Sequence, residues 1–291
     1  MEKLISNAID LVCSRTLPEG GFSVKGDGIF RPDATAWAIL ALKSGLCCDE
    51  YISKACRYLA QSQLTDGRVP LITVNPAAYW PTALAVLAWQ KSAGQVDSVQ
   101  KAVSFLINNT GLHFTKTKDS VAEHDTEIKG WPWVENTHSW VEPTSMAVLA
   151  LRSSGSGEHP RIVEAVRMLL DRQLPSGGWN MGATLVFGKE LLPFAESTGH
   201  ALTALNSFTN TEVVQKSLDY LNKIIQDLRT PLALAWGLFG LTSWNRRPEN
   251  YRRLILETLE RQEKYGPYDT DLLSQLIVAY YTEADLIRFV S

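Results

Sequence analysis

The sequence predicts an all-α protein, an (α/α)6 toroid of six helical hairpins forming a single domain over residues 1–291, and three observations carry that reading. An apolar segment about ten residues long recurs six times. Between the copies run segments of opposite character, each with one apolar stripe and one charged face. No stretch alternates with period 2, so no sheet is expected. A segment apolar nearly all round makes a helix buried on most sides, whereas an amphipathic one belongs on the outside.

In chain order, the first hairpin pairs an amphipathic helix over Leu4 to Arg15 with an apolar one over Asp33 to Leu42 (DATAWAILAL). The second pairs Tyr51 to Ser62 with Trp80 to Trp89 (WPTALAVLAW), and the third pairs Val96 to Ile107 with Glu142 to Leu151 (EPTSMAVLAL). The fourth joins Arg161 to Arg172, whose apolar set Ile162, Val163, Ala165, Val166, Leu169 and Leu170 fits helical spacing, to Glu196 to Leu205 (ESTGHALTAL). Weaker copies follow: Glu212 to Ile225 with Thr230 to Phe239 (TPLALAWGLF), and Tyr251 to Glu263 with Asp269 to Val278 (DTDLLSQLIV). Small residues inside the apolar helices, among them Ala34, Ala36, Ala83, Gly199 and Ala235, let them converge on an axis and favour a closed ring over an open array. All six would then start at one end, around one cavity mouth.

The turns from outer to inner helix also repeat. Gln173-Leu-Pro-Ser-Gly-Gly-Trp179 is the clearest, with degenerate copies at Gln63 to Gly67, Gln262 to Tyr268 and Pro18 to Phe22. Glycine there supplies positive φ after a helix end, Gln bonds freed carbonyls and the aromatic covers the turn, which makes a structural staple.

Composition excludes several classes. A net charge of −3 with pI near 6.0 gives no electrostatic reason to expect nucleic acid. No apolar run reaches the roughly 20 residues of a membrane span, and the charge-interrupted N-terminus does not read as a signal peptide. Cys13, Cys47, Cys48 and Cys56 lack metal or disulfide spacing and read as free thiols of a cytoplasmic protein. No dinucleotide, phosphate-loop, serine-hydrolase or HExxH motif occurs, so no cofactor is expected.

The stretch most suggestive of a site is Gly130 to Leu151, a loop with Trp131, Trp133 and Trp140 followed by a helix entered through Glu142-Pro143. Pro suits a first helical turn, and an acid there faces the positive end of the dipole. Glutamate is a poor N-cap, so Glu142 and Glu196 stand out, whereas Asp33, Asp269 and Thr230 read as caps and Asp271 as a first-turn acid. His138 precedes Glu142 by four, and Glu196 precedes His200 by four, a spacing that shares one helical face and would suit a divalent metal. Helix-end satisfaction is the plainer account of both pairs. His113, His124 and His159 read as solvated, Arg246, Arg247, Arg252 and Arg253 as a solvated face, and the polar loop 111–127 as a lid or an insertion.

Gln-x3-Gly-x-Trp at Gln173 to Trp179, with the Thr-Ala pattern of Asp33 to Leu42, resembles the prenyltransferase and squalene-oxidase repeat, over about residues 4 to 282. That repeat builds the α/α toroids of class II terpene cyclases and of protein prenyltransferase β subunits. The resemblance implies an isoprenoid ligand. It also implies a protonating carboxylic acid in a dry, aromatic cavity whose π faces stabilise carbocations. The cyclase motif Asp-x-Asp-Asp-Thr-Ala maps its middle acid onto Asp33, with Thr35 and Ala36 matching and Arg31 and Ala34 replacing the flanking acids. The prenyltransferase zinc set of Asp, Cys and His is not reproduced at the inner-helix starts.

These readings converge on a terpene-cyclase-like enzyme acting on an isoprenoid or other apolar small molecule. Glu142, Glu196 and Asp33 are the candidate acids, and His200 completes the candidate catalytic set. Trp37, Trp80, Trp131, Trp133, Trp140 and Trp236, with His138, are the candidate substrate-binding residues. The alternative is a non-catalytic toroid that binds a lipid or a partner protein.

Overall fold

Proline opens three of the apolar helices, Pro32, Pro81 and Pro231, where its missing N–H costs nothing. Helices follow where the sequence predicts them in a computed structural model that describes residues 2–116 and 123–291. Outer helices are α1 (Glu2–Cys13), α3 (Asp49–Gln61), α5 (Val96–Asn108), α7 (Pro160–Asp171), α9 (Thr211–Ile224) and α11 (Tyr251–Glu260). Inner ones are α2 (Pro32–Ser44), α4 (Pro81–Trp89), α6 (Val141–Ser153), α8 (Ala195–Leu205), α10 (Pro231–Ser243) and α13 (Thr270–Tyr281). Short helix α12 (Gln262–Tyr265) lies between the two helices of the last hairpin, and α14 (Leu286–Val290) follows it.

Inner helices touch in sequence around a ring, α2 to α4, α6, α8, α10, α13 and back to α2, so the toroid is closed. Burial matches the two characters: every residue of α4 is buried, whereas α3 buries only Ala55, Cys56 and Leu59. No helix among the described residues is long and apolar enough to cross a membrane.

The recurring Thr explains itself as a stitch. The Oγ1 atoms of Thr35, Thr82, Thr144 and Thr198 accept the backbone N–H of Phe22, Val69, Trp131 and Trp179, at 2.8, 2.9, 2.9 and 2.9 Å. Each bond ties the turn before an inner helix to that helix's first turn. Thr270 closes the ring: its Oγ1 donates to Ser23 O (2.6 Å), and Arg15 Nη1 donates to it (3.2 Å), joining last hairpin to first. The turn glutamines bond carbonyls as expected, Gln63 Nε2 reaching Gly67 O and Ser98 O, both at 2.9 Å, and Gln173 Nε2 reaching Val213 O at 3.2 Å, so these two turns are also tied to the next outer helix.

Two expectations are corrected. A two-stranded antiparallel hairpin, β1 (Leu185–Val186) and β2 (Lys189–Glu190), occupies the loop before α8. Two-residue strands are too short for a periodic signal, and the hairpin lengthens the fourth turn so that Trp179 and Thr198 stand further apart in sequence than the earlier stitched pairs. The capping roles also fail: Asp33 lies inside the first turn of α2, and neither Asp269 nor Thr230 makes a side-chain capping bond.

Candidate active site

An axial cavity of about 160 Å³ opens at the starting ends of the inner helices, and all six of them line it. Its walls are largely aromatic. On this lining Trp37 and Trp236 meet edge to face at 6.1 Å between ring centroids, and Trp80 meets Trp133 in the same way at 5.3 Å. Leu84, Met146 and Leu232 fill the apolar gaps. The polar groups on the lining are Glu142 and His200 on one side and Asp33, Asp271 and Gln275 on the other. In the ring order α6 stands opposite α13, and α8 opposite α2, so two polar stations face each other across the tryptophans.

His200 is 1% exposed, stacked on Trp236 with centroids 3.4 Å apart and planes 21° from parallel. Its Nδ1 lies 2.8 Å from the carbonyl of Glu196, one helical turn back, which can only accept. Nδ1 therefore carries the proton and Nε2 presents a lone pair, 3.6 Å from Glu142 Oε1. Complete burial pushes the imidazole down to about 3, so it stays neutral. Burial first, and repulsion from Glu196 second, push Glu142 up to about 8. Its side chain is 29% exposed, but what it faces is the cavity. At pH 7 the pair is thus a carboxylic acid beside a neutral imidazole.

On the far wall Arg31 grips Asp33 with two hydrogen bonds, Nε to Oδ1 at 2.9 Å and Nη2 to Oδ2 at 2.7 Å. Burial and then the nearby Asp33 push Asp271 up to about 6. Gln275 is 3% exposed and its Oε1 has no partner among the described residues.

The structure brings together Asp33, Trp37, Trp80, Trp133, Glu142, His200 and Trp236, all singled out from sequence. Glu196 sits half-buried beside Glu142, outside the lining, and acts on it through charge and on His200 through its backbone. Three expected wall residues lie elsewhere. Trp131, 1% exposed, is the third repeat's equivalent of Trp179: its Nε1 donates to Leu106 O (2.9 Å) as that of Trp179 donates to Leu169 O (2.7 Å), and Arg161 lies over its ring. Trp140 is the extended residue before α6, packed near Gly182. His138 precedes the helix, so its spacing from Glu142 puts no shared face between them; it pairs with Leu112 and packs against Phe114.

The other histidines are not simply solvated. His159 caps α7 by accepting Arg161 N–H at 3.2 Å. His113 bonds Thr110 Oγ1 at 2.6 Å, and burial pushes His124 down to about 4. Of the loop read as a lid, residues 117–122 lie outside the described residues. Its C-terminal flank is anchored to the end of α7 through Asp125, Asp171 and Arg172, and none of the loop's described residues lines the cavity. Among the described residues no group of three or more His, Cys, Asp or Glu is arranged to hold a metal ion.

Asp271 and Gln275 are missed as wall residues because the fifth and sixth copies begin two residues later than the sequence suggests. With Leu232 and Asp271 as first positions, the fifth positions become Trp37, Leu84, Met146, His200, Trp236 and Gln275, which all line the cavity. The signal for that register is the fourth position, which then reads Ala36, Ala83, Ser145, Gly199, Ala235 and Ser274, small in every copy.

No protein-family model and no curated protein matches the chain. Solved structures do. Type II terpene cyclase MstE from Scytonema, without ligand, superposes with a TM-score of 0.62 at 14% identity over 98% of this chain and 99% of that one. A variant of MstE in complex with its substrate, geranylgeranyl dihydroxybenzoate, gives 0.61 at 12% identity over 99% and 98%. A protein from Actinoplanes gives 0.60 at 13% identity over 99% of both chains. What this chain shares with them is the fold, an all-α toroid of the kind found in terpene cyclases.

Proposed function

We propose that the protein is a terpene-cyclase-like enzyme that protonates the alkene of a small isoprenoid in the axial cavity, with Glu142 as the acid. The observation that carries this is a carboxyl held neutral at physiological pH in an aromatic-walled cavity, next to an immobilised neutral imidazole. The O–H of Glu142 transfers its proton to an alkene carbon, forming a C–H bond and leaving a carbocation and a carboxylate. Attack by a second alkene closes a ring, and loss of a proton from carbon to Glu142 ends the cycle with no net change in protons.

The burial that keeps the proton on Glu142 also disfavours its anion. Anion and cation form in contact, however, and their attraction in a low-dielectric cavity offsets that penalty. Each favourably placed tryptophan face adds about 0.5–2 kcal/mol of cation–π stabilisation. Asp33, at the position of the family's acid, is gripped by Arg31 at both oxygens, and that arrangement favours Glu142 as the donor. A cavity of about 160 Å³ lies below the roughly 300–1,000 Å³ of drug-sized pockets and near the 150 Å³ that accepts benzene, so a short substrate suits it.

The test is incubation with isoprenoids from five to twenty carbons and with squalene, comparing wild type with Glu142→Gln. Turnover of a short isoprenoid, lost in the variant, is expected. Turnover that survives the substitution removes the catalytic role, and absence of turnover with retained binding favours the non-catalytic reading.

A further inference from the structure

Among the described residues eight buried side-chain polar atoms lack a hydrogen-bond partner, and of these only Gln275 Oε1 belongs to a residue that lines the axial cavity. The Gln275 side chain is almost wholly buried, it faces the cavity, and its Oε1 finds no donor among the described residues. Native chains seldom leave a buried amide oxygen orphaned unless something outside the chain supplies the donor. Asp271 lies one helical turn before it on the same face of α13 and also lines the cavity. Among the described residues no side chain donates a hydrogen bond to its carboxyl. Asp33 completes this wall, but Arg31 already occupies both its oxygens.

We propose that Gln275 and Asp271 hold the head of the ligand, and that this head is an uncharged hydroxyl rather than a diphosphate. The inference rests on the reading of the cavity as the site for an isoprenoid. A hydroxyl both donates and accepts, so it satisfies the Gln275 amide in either orientation while donating to Asp271. A diphosphate only accepts and would face Asp33, Asp271 and Glu142, with no Lys or Arg among the described lining residues to neutralise it. Because α13 stands opposite α6, a head held at Gln275 directs the hydrocarbon tail across the tryptophans toward Glu142. The same cavity thereby fixes which end of the chain meets the acid.

The test measures dissociation constants by quenching of tryptophan fluorescence, with prenol, geraniol and farnesol, the methyl ether of geraniol, and geranyl diphosphate. At least one alcohol is expected to bind, with geraniol at least tenfold tighter than its ether and the diphosphate weaker than either. In Gln275→Leu, and independently in Asp271→Asn, the preference for alcohol over ether shrinks to within threefold, while retained ether binding shows each variant folded. Equal binding of alcohol and ether by the wild type overturns the inference, as does a preference that persists in Gln275→Leu, since that would reflect bulk alone. Tighter binding of the diphosphate, or of no alcohol in the series, overturns it too. Equal binding with turnover that still depends on Glu142 would remove the head-group station and leave the acid standing; an alcohol preference with turnover indifferent to Glu142→Gln would do the reverse.

Discussion

Replacing Glu142 by Gln removes a carboxyl that folding forces to keep its proton, and the consequence for stability follows by linkage. In the unfolded chain this carboxyl titrates near 4.5, and in the folded cavity near about 8. Below pH 4.5 both states hold the proton and the group contributes no pH dependence. Between those values the folded state holds one proton more than the unfolded state, so stability falls as pH rises, by about 1.4 kcal/mol per unit at most. Above pH 8 the loss is complete. Gln has the same shape and no proton to lose, so Glu142→Gln is expected to match the wild type near pH 4 and to exceed it by about 2–3 kcal/mol at pH 7, the partial exposure of the side chain lowering the full figure. Urea unfolding at half-unit steps from pH 4 to 9 measures the difference directly. A difference that does not grow with pH, or a variant less stable than the wild type at pH 8, would refute the claim that burial holds this carboxyl neutral.

Other substitutions test the frame around the cavity. Gly199→Ala puts a methyl group onto the Trp236 carbonyl where α8 and α10 pack closest, and is expected to cost more than about 3 kcal/mol in chemical denaturation. Thr144→Val leaves the buried Trp131 N–H unbonded and should cost about 1–3 kcal/mol by the same measurement. For the proposed activity, kcat/KM should fall as pH rises through about 8, because the reactive form of Glu142 is the protonated one. A pH profile flat to pH 9 would contradict that assignment.

Much of the fold is legible because each hairpin states its two helices in opposite patterns: one stripe in α7, none in α4. The site is legible where the repeat is strong. Trp80, Glu142 and His200 sit in copies whose Thr marks the helix's first turn, and their register reads directly onto the cavity. It fails where that mark is gone. In α10 and α13 Leu234 and Leu273 occupy the Thr position, the copies are aligned two residues early, and Asp271 looks like a helix-start acid while Gln275 escapes notice. Trp131 misleads for another reason: residue type alone cannot tell a cavity wall from a staple whose indole N–H is spoken for by Leu106. The Arg31 grip on Asp33 is also invisible in sequence, since neighbours two apart on a helix normally face away from each other; here Arg31 is the extended residue before α2.

Proton delivery from solvent, through Glu142, to carbon is the step on which the proposed chemistry turns, and mass spectrometry of products formed in deuterium oxide tests it most directly. Wild type should yield product carrying one solvent deuteron at the carbon protonated first, and Glu142→Gln should yield none. Product free of deuterium, or labelled product from the variant at wild-type rate, would contradict the assignment of Glu142 as the acid.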